Sequence, residues 1–161
     1  APGGSVPPYA SQLNLNTVGS EGWSVEWLSW HENQFIIAEC QFNLGNTEGA
    51  LETLNNTVSV LENRWRSFDS TCVLPRYSNI SGQDVISAIM NEKYKALFLN
   101  MQTLSDWRRT GYPKFQDRNG ASTTCESGIP RRLLYPELEK NTNSNAPDGD
   151  SIFGRVQNDP F

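Results

Sequence analysis

QDVISAIMNEKYKALFLNMQTLSDWRRTGYP, residues 83–113, is the longest periodic stretch of the chain, and its reading decides the fold. Apolar residues fall at Ile86, Met90, Tyr94, Leu97, Met101, Leu104 and Trp107, in steps of four or three. That spacing places side chains on one face of a helix. Val85, Ile89, Ala96 and Phe98 widen the stripe beyond a coiled-coil seam, so one long helix, buried along much of its length, is predicted. Ser81 to Asp84 reads as its capping box. Arg108 and Arg109 sit where positive charge favours a helix C-terminus, and Gly111 and Pro113 stop it.

Working outward, SWHENQFIIAECQFNL at 29–44 reads as a helix that is apolar almost all round, which places it between neighbours. Gly45 closes it with a left-handed cap. Thr47 is the expected N-cap of the next helix, with Glu48 in its first turn. Ala50, Leu51, Leu54, Val58 and Leu61 form that helix's stripe, which runs to about Trp65. The short turn makes the two helices antiparallel neighbours. LGNTEGALETL resembles the turn of a tetratricopeptide-type repeat. A lone repeat cannot bury both faces, so either the long helix or a surface outside this chain covers the second.

The expected fold class is therefore all-α, in a single domain over 1–161. It divides into an extended segment at 1–28, a helical scaffold at 29–113 and a loop-rich tail at 114–161. The Pro-, Gly-, Ser- and Asn-rich start lacks the charged and apolar regions of a signal peptide. No apolar run approaches the roughly 18 residues needed to span a bilayer. A net charge of −5 with scattered Arg residues argues against nucleic acid as a partner.

The search for chemistry gives little. His31 is the only histidine, and no cysteine pair has zinc spacing, so no metal site is expected. His31 opens a helix and reads as a surface or capping residue, not as a catalytic base. No glycine-rich phosphate loop and no other cofactor motif is present. Glu39 is the best candidate for a buried carboxylate, and an Arg or Lys of a facing helix, for example from the RRTG segment, is its expected partner. Asn143, Asn145, Asp148 and Asp150 offer oxygen ligands. They lack the EF-hand glycine and closing Glu, and read as a surface loop. The sequons at Asn55 and Asn79 are short enough to arise by chance.

Cys40, inside an apolar helical pattern, is expected as an inert core residue. Cys72 and Cys125 lie in loop-like sequence, which permits a disulfide. Such a bridge would constrain the unfolded chain by about 4 kcal/mol and imply an oxidising compartment. Trp23, Trp27 and Trp30 punctuate the end of the first segment. They either anchor it to the helices or leave an aromatic face exposed for stacking on a sugar, with Trp23 and Trp27 the ligand candidates.

The order of motifs carries a resemblance. Glu32, Phe35, Ala38 and Glu39 are followed by GNTEGA at 45–50, EKYKALF at 92–98, WRRTGYP at 107–113 and IPRRLLYP at 129–136, with Glu139 and Asn141 beyond. Together these resemble the C-terminal part of the SusD/RagB family of outer-membrane nutrient-binding lipoproteins, over roughly residues 25–145. The resemblance implies an all-α protein with tetratricopeptide-like helix pairs and irregular loops around the ligand site. It implies a non-catalytic role, anchored at the cell surface. There the protein would bind an oligosaccharide or other nutrient and cap a TonB-dependent, SusC-like transporter. Some members take peptides. Family members are several times longer, and their lipidated N-terminal cysteine has no counterpart here, so the chain corresponds to a C-terminal piece. Sugar-contacting residues vary within the family, and the resemblance transfers none of them. Within the signatures, WRRTGYP reads as a helix stop and packing device. Leu133, Leu134 and Tyr135 read as docking the tail. The alternative function is a protein-interaction module that docks a transporter or the rest of its own protein. A glycosidase would need two carboxylates about 5 to 9.5 Å apart in one cleft.

Overall fold

The computed structural model describes residue 13 and residues 19–24, 26–115 and 136–145. Five helices run α1 (Trp30–Asn43), α2 (Thr47–Arg66), α3 (Gln83–Ala96), α4 (Gln102–Thr110) and α5 (Glu137–Thr142), with no strand among the described residues. The all-α class is as the sequence predicts. The tail differs in one respect, since the short α5 lies where only loop was expected.

α1 and α2 form the expected hairpin. Ser29 caps α1, its Oγ accepting from the Glu32 amide at 3.0 Å. At the other end Gly45 takes φ +84°. The Gly45 amide donates to Phe42 O and the Asn46 amide to Gln41 O, both at 2.9 Å. These two bonds make a Schellman cap, which a left-handed glycine permits at little cost. The N-cap of α2 is Asn46, not Thr47. The Asn46 Oδ1 accepts from the Gly49 amide at 3.0 Å, and placing the cap one residue earlier follows directly from the two-residue Schellman closure. Thr53 bonds Gln41 near the turn at 2.8 Å, while Arg64 at the far end of α2 meets Glu26 ahead of α1. The helices therefore run antiparallel.

The core forms where α1 packs on α2 and on α3, and α2 meets α3. Phe35 and Ala38 of α1 meet Ala50, Leu54, Val58 and Leu61 of α2 and Val85, Ile86, Ala88, Ile89 and Met90 of α3. Phe35, Leu54, Ile89 and Val85 are wholly buried. Each contributes about 1.5–3 kcal/mol by leaving water. The predicted stripe of α2 is thus the core stripe. α3 supplies the cover for the repeat that the sequence left open.

The long helix of 83–113 is two helices. α3 ends at Ala96, Leu99 adopts φ +67°, and α4 begins at Gln102. Asn100 organises the restart. Its Oδ1 accepts from the Gln102 amide at 2.9 Å, and its carbonyl accepts from the Thr103 hydroxyl at 2.7 Å. The fold-back is proved by Lys93 Nζ, which lies 2.6 Å from Asp106 Oδ2. Thirteen residues of unbroken helix would hold those backbones about 20 Å apart. The expected stripe divides accordingly: Ile86, Met90, Leu97 and Trp107 are buried, whereas Tyr94, Phe98 and Met101 are exposed at the turn. The Ser81–Asp84 capping box does not form. Gly82 is the N-cap of α3 at φ +56°, and no side chain bonds the helix start. Gly111 closes α4 in the left-handed conformation, as its sequence position predicts, and the Tyr112–Pro113 bond is cis.

α4 packs its backbone on α3 and reaches α1 through a chain of charges. Arg109 Nη1 and Nη2 donate to the two carboxylate oxygens of Glu39, and Nη2 also donates to Asp106 Oδ1 at 3.0 Å. Lys93 holds the other oxygen of Asp106. Glu39, Lys93 and Asp106 are all buried. Isolated charges there would be costly, and the closed network compensates them. The predicted pairing of Glu39 with the RRTG segment is therefore present, through Arg109. The hydrogen bond to Glu39, more than any other contact, raises the Arg109 pKa above its ordinary value. The Nε of the adjacent Arg108 is buried without a hydrogen-bond partner.

Two expectations for α1 are corrected. Cys40 is exposed, not in the core. With Trp30, Ile36, Ile37 and Leu44, it forms an apolar face that no described element covers. The helix is amphipathic only through its neighbours, because α2 and α3 both lie on its other side. Cys72 is half-buried with a free thiol, and Cys125 lies outside the described residues. The signature at 129–136 is likewise outside them apart from Pro136, as are Asp148 and Asp150.

The loop between α2 and α3 is tied down by side chains of the helices. Asn55 Nδ2 donates to Tyr77 O, and its Oδ1 accepts from the Tyr77 amide, both at 2.8 Å. Glu62 Oε2 accepts from the Leu74 amide at 3.0 Å. The Tyr77 hydroxyl donates to buried Glu92 at 2.6 Å. Burial first, and this carboxylate second, push the Tyr77 hydroxyl well above the usual phenol range.

Candidate functional site

The end of α2 builds an open concave surface. Helix propagation stops at Ser67, whose Oγ donates back to Arg64 O at 2.7 Å. The Phe68 and Asp69 amides both bond Trp65 O, at 3.0 and 2.9 Å. This tight ending turns Phe68 towards Trp65, with ring centroids 5.9 Å apart. From the other side, the segment before α1 brings in Trp23, whose amide bonds Ser20 O at 3.1 Å in a turn. Trp23 and Phe68 meet at 6.1 Å with planes tilted by 51°. The Arg64 guanidinium lies 6.0 Å from the Trp23 ring centre, within range of a cation–π contact. Arg64 Nη2 also pairs with Glu26 Oε1 at 2.8 Å.

These groups enclose an open-mouthed cavity of about 380 Å³, lined by Gly22, Trp23, Ser24, Glu26, Arg64, Ser67 and Phe68. That volume is at the small end of ligand pockets. Next in the chain after Glu26 of the lining, Trp27 is 91% exposed and Leu28 92%, two large apolar groups side by side in solvent.

The three tryptophans thus divide between the readings that the sequence left open. Trp23 is half-buried, anchors its segment on Phe68, and lines the hollow. Trp27 presents its ring to solvent. Trp30 is half exposed and rests edge-on against His31, with ring centres 5.5 Å apart. His31 is half-buried, its Nε2 without a hydrogen-bond partner. Burial, then the charge of Arg64, lowers its pKa, with Glu26 opposing. An imidazole held neutral and bonded to no hydroxyl or thiol among the described residues does not form a nucleophile–base pair.

Of the lining, sequence reading named only Trp23; it missed Glu26, Arg64 and Phe68, along with Gly22, Ser24 and Ser67. RWRSF at 64–68 placed aromatics and a cation at a helix end, but nothing in the pattern tied it to a segment some forty residues earlier. A second cavity, of about 10 Å³, lies among Met90, Lys93, Tyr94, Thr103, Asp106, Tyr112 and Pro113. It has room for one water and belongs to the core. Among the described residues no group of His, Cys, Asp or Glu could hold a metal ion, and no helix is long and apolar enough to cross a membrane.

The hollow thus joins aromatic rings, serine hydroxyls and a closed ion pair at one end of a helical scaffold. The chain belongs to the SusD-like family, whose model, described as "Starch-binding associating with outer membrane", matches residues 8–136. That family is one of binding proteins, not catalysts. No curated protein and no solved structure matches the chain.

Proposed function

We propose that this chain is a non-catalytic glycan-binding component of an outer-membrane uptake system, displayed at the cell surface and working with a TonB-dependent, SusC-like transporter. The observation that carries the reading is the family match over residues 8–136, made by a chain whose regular secondary structure, among the described residues, is all helix. The aromatic hollow at the end of α2 supports it, because sugar rings pack an apolar face on aromatic side chains. Isothermal titration of the chain against a panel of neutral and charged oligosaccharides tests it. Saturable heat with at least one glycan is expected. Silence across the panel, with tight binding of a peptide, would replace the glycan by a peptide nutrient.

One observation favours a second reading. The outer face of α1 presents Trp30, Ile36, Ile37, Cys40 and Leu44 to solvent. In a tetratricopeptide-like scaffold such a face packs on a further helix. On this reading the chain is a docking module for the transporter or for the rest of its own protein. Co-purification with either supports it, and a monodisperse, non-associating chain counts against it.

A further inference from the structure

The hollow at the end of α2 supports an assignment finer than glycan binding, one that rests on that reading. We propose that it is a subsite for one neutral pyranose ring of a longer glycan, that Trp27 is the platform for the adjoining ring, and that the Glu26–Arg64 pair turns acidic sugars away.

Three observations converge. The first is shape. A cavity of about 380 Å³ that is open to solvent has room for a single ring, and its open side lets a longer chain continue outwards. The residue bonded to Glu26 of the lining is Trp27, with its indole almost fully in water. An exposed indole one residue along the chain from the lining offers a second stacking surface next to the hollow.

The second is the wall chemistry. Phe68 is half exposed and faces Trp23 at a tilt of 51°, so the two rings form a wedge. Arg64 occupies the neighbourhood of the indole at 6.0 Å, whereas Phe68, although flanked by Trp23 and Trp65, keeps half of its surface open for stacking. Ser24 and Ser67 place hydroxyls on the same wall. Sugar hydroxyls both donate and accept, and this mixed lining answers both.

The third is charge. The lining holds one anion and one cation, Glu26 and Arg64, paired at 2.8 Å with each side chain only partly exposed. The site is therefore neutral as built. A neutral diol can donate to the outer oxygen of Glu26 and accept from the remaining N–H groups of Arg64 without opening the pair. A uronate would have to displace Glu26 from Arg64 and would then lie beside the released carboxylate. Like charges at such range oppose binding, and the chain's net charge of −5 adds to the repulsion.

The test uses the whole chain, titrated with a neutral malto-oligosaccharide and with an oligouronate of equal length. Trp27→Ala, Phe68→Ala and Glu26→Gln are compared with the parent, and thermal melts check that each variant remains folded. Expected are binding of the neutral glycan, at least a tenfold loss in both aromatic variants, no detectable oligouronate binding by the parent, and measurable oligouronate binding by Glu26→Gln. If the parent binds neither the malto-oligosaccharide nor any other neutral glycan, the glycan reading itself falls, and the subsite with it. If neutral glycan binds and neither aromatic variant weakens it, the glycan reading stands and this subsite is wrong. Tighter binding of the oligouronate than of the neutral glycan by the parent overturns the charge assignment.

Discussion

Arg109→Ala is the substitution that bears hardest on the account of how α4 is held. Arg109 gives three hydrogen bonds to carboxylates: two to Glu39 and one to Asp106. Bonds to charged groups contribute about 1.5–3 kcal/mol each in favourable settings. The Arg109 side chain is 52% exposed, so solvent screening cuts the sum. The Glu39 carboxylate is the deciding term. Its side chain is 11% exposed, and stripping the partner from a buried charge costs about 3–5 kcal/mol. Screening brings the expected loss to about 3 kcal/mol, which for a chain of this size lowers Tm by about 6–12 °C. Urea unfolding followed by far-ultraviolet circular dichroism measures it, with Arg109→Lys as a companion that keeps the charge but loses the fork. Because the raised pKa keeps Arg109 cationic, its contribution is complete below the ordinary arginine value and disappears only above the raised one. The loss should therefore be constant between about pH 6 and pH 10. A loss under about 1 kcal/mol, the range of an ordinary surface pair, would refute the claim that this network closes the bundle.

Glu62→Gln should change the shape of the acid limb of stability. The Leu74 amide first, then Arg66 and Arg76, hold the Glu62 carboxyl below its usual 4.5. Its contribution is thus full above that value and fades as pH falls through the lowered one. Parent and variant urea midpoints should therefore converge in acid, and a gap that persists unchanged to strong acid speaks against the Leu74 contact. Gly45→Ala should cost about 1–2 kcal/mol, all of it backbone strain at φ +84°, since no atom lies within 4 Å of the added methyl; an unchanged melt would contradict the Schellman closure. Leu99→Gly should be neutral or stabilising by up to about 1 kcal/mol, because relief of a left-handed leucine outweighs the entropy of glycine. A clear loss of stability there would mean that the exposed leucine side chain makes a contact of its own.

The sequence reveals the α1–α2 hairpin because its signals are local and redundant: a glycine stop, a short polar turn and a clean stripe, although the caps themselves, Ser29 and Asn46, go unread. It also reveals Glu39 and its arginine partner, since a carboxylate in an apolar helix must find a cation. It hides the α3–α4 turn. Leu97, Phe98, Leu99 and Met101 keep the helical spacing through the break, and periodicity cannot see a fold-back whose residues stay apolar. Asn100 is the one local sign, a residue that favours caps over helix interiors. The exposure of Cys40, Ile36 and Ile37 was hidden for another reason. An all-round apolar helix states how much surface wants cover, and not how much of that cover the same chain supplies. At the hollow, Trp23 and Trp27 are legible as aromatics in a polar segment. Arg64 and Phe68 are not, because their role arises from a contact between distant parts of the chain.

The ties that hold the α2–α3 loop bear on how this surface could diverge. Asn55 and Glu62 grip main-chain amides at Tyr77 and Leu74, and the Asn55 amide imitates the paired bonds of a neighbouring strand. A tether to backbone is indifferent to the side chains it passes. Val73 and Ser78, both exposed, could drift without loosening the loop, so new ligand contacts could be sampled there while the framework stays fixed. In related chains, variation is therefore expected to concentrate at those positions and to spare Asn55 and Glu62. The reverse pattern would mean that the loop is held by something else.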